Sequence, residues 1–150
     1  MDAVFAAPAD RELIQRVIAR ARGHTSGDPA FAPLRAMLLA QRVQASEELD
    51  ELAHAIAVAC MGGHHLWQDL GCSGRAEVSR LMELGFPALF AANVHDLRWK
   101  RHLFLCLGPH LGRPGMRPPK CDHCGDFASC MGAPAPPPAL PGLAAWLHEP

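Results

Sequence analysis

The sequence changes character at Gly108, and this change limits what the chain can fold into. The stretch that starts there, GPHLGRPGMRPPK, places prolines and glycines too close together for the interior of a helix or a sheet. A later stretch, APAPPPALP, should be extended and polyproline-like. Regular structure therefore has to come from the chain before Gly108, where no segment alternates as a strand does.

Helical periodicity runs through that part of the chain in successive segments. The first helix should have Asp10 as its N-cap and should stop at Gly23. A second helix should cover about residues 33–43. A third covers SEELDELAHAIAVAC, whose acidic first turn suits the helix dipole. These segments predict an all-α fold, built as a small helical domain.

A break at MGGHHLWQDLGCSG separates the third helix from the next one. Ser73 should cap RAEVSRLMEL, and Gly85 should end that helix. FPALFAA should then start a short helix, with Pro87 near the first turn, where its missing N–H costs little. Leu66 and Trp67, inside the break, are expected to anchor it to the core.

The last helix of this part, VHDLRWKRHLFLCL, should be capped by Asn93 and should end at Gly108. Leu97 and Phe104 lie on one side of it, nearly opposite a second face, so we expect packing on both sides. That second face carries His95, Trp99, His102, Leu103 and Cys106.

Composition and charge exclude several classes of protein. Hydrophobic residues make up 49% of the chain, which favours a folded domain over disorder. The net charge of −1 gives no basic surface for nucleic acid or for a membrane. The N-terminus lacks the basic start of a signal peptide, and no apolar window is long enough to span a bilayer. We therefore expect a cytoplasmic protein, in which six reduced cysteines indicate metal or redox chemistry rather than disulfides.

The strongest local signal is the segment KCDHCGDFASC, with Cys121, Cys124 and Cys130. Two thiolates of a C-x-x-C turn can bind one metal or one cluster, and a third thiolate close by can join them. Zinc and an iron–sulfur cluster both fit this spacing. A zinc site needs a fourth ligand, which could be Cys106, His102 or His123.

Other residues have both a functional and a structural interpretation. His64 and His65 lie in a glycine-rich break and are either metal ligands or residues that meet free carbonyls at a helix end. Cys60 and Cys72 are expected to be structural. A basic group is either a solvated face or a site for an anion or an acidic partner. It consists of Arg98, Lys100, Arg101, Arg113, Arg117 and Lys120.

Three ordered segments, HHLWQDLG, LMELGFPALFAANVHDLRWKRHLFLCL and CDHCGDFASCMG, resemble the NifQ family of nitrogenase cofactor biosynthesis. The resemblance implies an accessory protein of nitrogen fixation that is not an enzyme. Such a protein binds an iron–sulfur cluster, is associated with a molybdenum–iron–sulfur species and supplies molybdenum for the iron–molybdenum cofactor. The implied partners are the nitrogenase cofactor scaffold complex, the nitrogenase iron protein, and molybdate or another molybdenum donor.

This sequence departs from the family's cysteine motif, C-x4-C-x2-C-x5-C, at its first position. The last three cysteines correspond to Cys121, Cys124 and Cys130, but Met116 stands in place of the first. A thioether is a weak ligand for iron, so either Cys106 is the fourth thiolate or three thiolates suffice. In the second case molybdenum could take oxygen or imidazole ligands. The imidazole candidates are His64, His65, His102, His110 and His123.

The expected organisation is a helical domain over residues 1–132, which includes a cluster-binding loop at 108–132, followed by a Pro-rich tail at 133–150. A zinc-stabilised helical interaction module is the main alternative. An enzyme that uses the cluster or the thiols is a second one. The sequence has no GxGxxG, no P-loop and no nucleophile–base set, which weighs against the enzyme.

Overall fold

The structure, a computed structural model, describes residues 4–119. Within that range the regular structure is helical and contains no strand, which confirms the all-α prediction. The helices are α1 (Pro8–Ala21), α2 (Phe31–Gln41), α3 (Glu47–Cys60), α4 (Leu66–Asp69), α5 (Arg75–Gly85), α6 (Pro87–Ala92), α7 (Trp99–Leu107) and a 3-10 helix (Gly108–Leu111). The cysteine-rich segment, the Pro-rich tail and the proposed boundary at residue 132 lie outside the described residues.

Helix α3 is the central element, because it packs against α1, α2 and α4. The side chain of Ser46 caps it by accepting a hydrogen bond from the Leu49 N–H at 3.1 Å. The helix is buried on most of its circumference, and its small alanines let the neighbouring helices approach closely. Leu66 is buried beside this core and Trp67 packs against it half-buried, as expected for anchors of the break.

Helix α1 starts earlier than the sequence predicted, and Asp10 is not its N-cap. Pro8 occupies the first turn, where a proline is already set for helical geometry. Asp10 lies inside that turn, and its carboxylate pairs with Arg80 at 3.0 Å, which ties α1 to α5. Helix α2 is likewise shifted two residues toward the N-terminus from the predicted 33–43.

The predicted cap at Ser73 is also wrong. Gly74 is the residue that precedes α5, and no side chain caps it. The Ser73 backbone N–H instead donates to Glu77 Oε1 at 2.7 Å. A carboxylate from the first turn of α5 therefore accepts a hydrogen bond from the backbone just before the helix. The end at Gly85 and the short helix α6 with Pro87 in its first turn are confirmed.

Helix α7 begins at Trp99, several residues after the predicted start, because Asn93 closes a loop instead of capping a helix. The Asn93 side chain accepts from the Leu97 N–H at 2.8 Å and donates to the Leu97 carbonyl at 2.9 Å. Asp96, in this loop, has a left-handed φ of 50°. His95 is exposed on the same loop and is therefore not on the α7 face to which the sequence assigned it.

The helix α7 itself is buried almost all round, which confirms packing on both sides. Beyond it, a short 3-10 helix forms where the sequence indicated no helix, with Pro109 at its start. The chain then folds back: the Arg113 N–H donates to the Gly108 carbonyl at 2.8 Å. An added Cβ at Gly108 would overlap the Arg113 carbonyl and the side chain of Met116, so glycine permits this return. No helix within residues 4–119 is long and apolar enough to cross a membrane.

Candidate metal centre

The structure describes five of the nine candidate ligands, and they fall into separate places. Those described are His64, His65, His102, Cys106 and His110. Those outside the described residues are Cys121, His123, Cys124 and Cys130. Among residues 4–119, no three His, Cys, Asp or Glu side chains converge on a metal position. These five candidates therefore form no complete metal site among the described residues.

Lys100 organises the first of these places. Its side chain is only 11% exposed, and its ammonium group donates to the Gly62 carbonyl at 3.0 Å, the His64 carbonyl at 2.5 Å and Asp69 Oδ2 at 2.6 Å. All three ammonium protons are thus satisfied. The expectation that the basic group forms a solvated face is wrong for Lys100 and for Arg101, which are both buried. Lys100 instead holds the segment 62–69 against α7.

The glycines of GGHHLWQDLG make this contact sterically feasible. A Cβ on Gly62 would lie 2.5–2.8 Å from the carboxylate of Asp69, so only glycine lets that carboxylate pack on the backbone. Gly71 has a φ of +77° and lies against the side chain of Arg20. The Gln68 side chain accepts from the His65 N–H at 3.0 Å and fixes the start of α4. We call residues 62–69 the histidine loop.

The two adjacent histidines of this loop have different surroundings. The His64 side chain is 73% exposed, and its Nδ1 lies 3.4 Å from Asp69 Oδ1. The His64 backbone N–H also donates to Asp69 Oδ2 at 3.2 Å. The ring of His65 contacts the guanidinium of Arg98, with 3.1 Å between His65 Nε2 and Arg98 Nη1. His65 is thus engaged with the protein, whereas the His64 ring projects into solvent.

His102 and Cys106 form the second place, on one face of α7. The two residues are one turn apart, and Cys106 Sγ lies 3.6 Å from His102 Nε2 and 4.0 Å from Nδ1. They are 1% and 2% exposed. The Leu89 carbonyl lies 2.9 Å from His102 Nε2, and the ring of Trp99 packs edge-on against the imidazole. We call these two residues, one thiol and one imidazole, the thiol pair.

Burial sets the protonation of the thiol pair. Desolvation raises the pKa of the Cys106 thiol to about 12. Desolvation also lowers the pKa of His102, against the smaller opposing effect of the Leu89 carbonyl. Both groups are therefore neutral at neutral pH. Their donor types suit a soft or borderline metal, but the described residues add no third ligand there.

The remaining candidates have structural surroundings. Cys60 and Cys72 are buried as expected, and burial raises their thiol pKa values to about 12 and about 11. His110 lies in the 3-10 helix, where desolvation lowers its pKa. Met116, in the place of the family's first cysteine, packs half-buried against the core beside Gly108.

Sequence reasoning missed Asp69 and Lys100, which are the residues that organise the histidine loop. The signal for Asp69 was its place in HHLWQDLG, a few residues after a histidine pair, where a carboxylate can return to the imidazole. No comparable local signal marked Lys100, because its partners lie 31–38 residues away in the chain.

Within residues 4–119, the fold and these sites define a small all-α protein with thiol and imidazole side chains on or beside α7. The family model described as NifQ matches residues 2–132. The chain therefore belongs to the NifQ family. This match spans the described helices and the cysteine segment that follows them.

Several curated proteins are similar to this chain. Protein NifQ of Azotobacter vinelandii is 37% identical over 100 residues, which cover 67% of this chain and 51% of that protein. The Sinorhizobium fredii NifQ homolog is 34% identical over 105 residues, 70% of this chain and 46% of that protein. Protein NifQ of Klebsiella pneumoniae is 37% identical over 87 residues, 57% and 52% respectively. The chain spans about half the length of these curated relatives, and no solved structure matches it.

Proposed function

We propose that this protein carries molybdenum within an iron–sulfur cluster and donates it during assembly of the iron–molybdenum cofactor in nitrogen fixation. The observation that carries this proposal is the family match, which runs through the helices and the cysteine segment alike. In this proposal the metal cluster is cargo. The protein acts in the cytoplasm as a carrier rather than as an enzyme with turnover.

The donor set supports a cluster of this kind. Cys121, Cys124 and Cys130 supply three thiolates, the ligands that hold iron in iron–sulfur clusters. A cluster of three irons and one molybdenum needs one thiolate for each iron, and its molybdenum can take harder ligands. The candidates for those further ligands are Cys106, His64, His65, His102, His110 and His123.

Among these candidates only Cys106 could supply a fourth thiolate. Its surroundings, however, favour a role in packing. It is 2% exposed and lies beside an imidazole that already contacts a backbone carbonyl. The three-thiolate arrangement needs no movement of this buried residue. It also leaves one corner of the cluster open, which favours release of molybdenum to an acceptor.

The proposed partners follow from the family. The cluster would be delivered to the nitrogenase cofactor scaffold complex together with the nitrogenase iron protein. Molybdate or another molybdenum donor would supply the metal. The buried helical core gives this exchange a platform, because apolar packing positions α7 and Lys100 holds the histidine loop against it.

Metal analysis of single-cysteine variants tests the proposal. The full chain, purified without oxygen, should contain iron and molybdenum and should absorb visible light. Serine variants of Cys121, Cys124 and Cys130 should each lose iron and absorption. Cys72→Ala, which changes a buried cysteine of the helical region, is the control and should keep both. Full iron in all three serine variants, or zinc without visible absorption, would contradict the proposal.

A further inference from the structure

The described histidine candidates differ in whether a metal can reach them. His102 is 1% exposed, His65 is held by Arg98, and His110 is half-buried. The His64 side chain, by contrast, is 73% exposed. Only an imidazole that reaches solvent can accept a metal and pass it on without local unfolding. His64 meets this condition among the described candidates.

Asp69 orients the exposed ring of His64. Because His64 Nδ1 lies 3.4 Å from Asp69 Oδ1, the carboxylate favours the tautomer with its proton on Nδ1, which leaves the lone pair on Nε2 for a metal. Histidines that bind metals generally donate their other ring N–H to a carboxylate, a carbonyl or water, which fixes the tautomer and raises the basicity of the ligand. The contact of His64 Nδ1 with Asp69 Oδ1 brings together the same two kinds of group.

The carboxylate is itself held in place. Asp69 is 16% exposed, and its Oδ2 accepts from Lys100 Nζ at 2.6 Å and from the His64 backbone N–H at 3.2 Å. Gly62 leaves the space that the carboxylate occupies. An ordinary surface Asp–His pair has two exposed side chains, whereas here the carboxylate is held and only the imidazole is exposed. The support for the ligand is therefore formed in advance.

We propose that His64 Nε2 is a metal ligand at the surface of the protein, with Asp69 and Lys100 as its positioning residues, and that it binds the molybdenum of the cargo. The second part rests on the proposed function. Thiolates are the iron ligands, and a neutral imidazole suits the harder metal. Because His64 is exposed, a metal bound to it lies where a ligand of an acceptor protein can replace the imidazole.

The test compares metal contents of full-length variants purified without oxygen. His64→Ala should keep iron and visible absorption but lose molybdenum. Asp69→Asn should keep iron and weaken molybdenum retention by about 10–100-fold, the usual effect of removing the partner of a ligating histidine. His95→Ala, an exposed histidine of the loop before α7, is the matched control and should keep both metals. In the unmodified protein, X-ray absorption at the molybdenum edge should show a nitrogen neighbour, and its absence there would overturn the assignment of His64.

The outcomes separate this inference from the proposed function. If the unmodified protein holds iron and molybdenum and His64→Ala keeps both, the inference is overturned and the carrier function stands. If the unmodified protein holds neither metal, the carrier function fails, and the molybdenum assignment of His64 fails with it. Should His64→Ala fold poorly by circular dichroism, His64→Gln replaces it, since glutamine keeps the size and polarity of the side chain.

Discussion

The two ends of α7 hold polar groups in opposite ways. At the N-terminal end, the charged Lys100 joins Asp69 and two carbonyls and supports an imidazole that faces solvent. Toward the C-terminal end, Cys106 and His102 are neutral and buried, and the His102 ring contacts the Leu89 carbonyl and the Cys106 thiol. One helix therefore carries a charged network that reaches the surface and a neutral pair that does not. In the carrier proposed above, the histidine loop would serve metal exchange, and the thiol pair would serve packing.

The difference follows from what burial costs each group. A buried charge is tolerated only when an opposite charge and hydrogen bonds compensate its lost hydration, which Lys100 achieves with Asp69 and two carbonyls. A buried thiol or neutral imidazole carries no such cost, and burial simply keeps it neutral. The charged end should therefore be sensitive to the loss of one partner, and the neutral end should tolerate small changes.

The largest effect is expected for Lys100→Met. This change leaves the Asp69 carboxylate without its cation and two carbonyls without a donor, so we expect the free energy of unfolding to fall by about 3–5 kcal/mol. Urea denaturation of the metal-free protein measures this change. Molybdenum retention should fall as it does in Asp69→Asn, because His64 loses its support.

The control for that variant is Arg16→Met, which breaks an ion pair with Glu77 that is open to water. Exposed pairs contribute roughly 0–1 kcal/mol, so this variant should remain close to the unmodified protein. If Lys100→Met is as stable as Arg16→Met, the buried contacts of Lys100 stabilise the protein no more than an exposed ion pair does, and the comparison is wrong for the N-terminal end of α7.

The next largest effect concerns the neutral end. Cys106→Ser replaces a buried thiol with a more strongly hydrated hydroxyl and should lower the free energy of unfolding by about 1–3 kcal/mol. Iron and molybdenum contents should not change, since the thiol is sealed. Met116→Leu, a change of similar volume at a half-buried position, should alter neither metal.

Two results would contradict the expectation that neither Cys106 nor Met116 binds metal. Loss of iron from Cys106→Ser alone would make Cys106 the fourth thiolate and the thiol pair part of the metal centre. Loss of metal from Met116→Leu alone would assign that position to the thioether. Metal analysis by mass spectrometry distinguishes these results from the expected one.

The sequence predicted the helical fold well, because periodicity and helix stops are local signals. The extents of α3 and α6 and the buried face of α7 followed from them. The start of α7 was wrong, because Asn93 can cap a helix or close a loop, and the choice depends on Leu97 being placed to meet it. The sequence could not predict the buried position of Lys100, because the partners that make it possible lie 31–38 residues away.

A smaller effect is expected for Glu77, whose ion pair with Arg16 is open to water. This pair shows how little an exposed charge contributes in comparison with the buried Lys100. The Ser73 N–H, and to a lesser degree Arg16, hold the pKa of Glu77 below its usual value. A carboxylate with a lowered pKa in the folded state stabilises the protein above its unfolded pKa and loses this effect as the pH falls. Glu77→Gln should therefore cost roughly 0.5–1 kcal/mol at pH 7 and progressively less below about pH 4. Urea denaturation at several pH values measures it, and a cost that grows toward low pH would contradict it. Glu83→Gln, at a more exposed pair, should cost less.

The smallest effect is expected when metal is removed. The helices from α1 to α7 share one continuous buried cluster, and each large apolar side chain in it contributes about 1.5–3 kcal/mol through burial. A zinc finger, in contrast, needs its metal because its apolar core is too small. Chelation should therefore leave the helical circular dichroism signal nearly unchanged, and Lys100 should keep the histidine loop in place. Hydrogen exchange can check the second point, because the amides of His64 and His65, which donate to Asp69 and Gln68, should stay protected. Cooperative unfolding on chelation would contradict both expectations and would favour a zinc-stabilised module, in which the metal is structural.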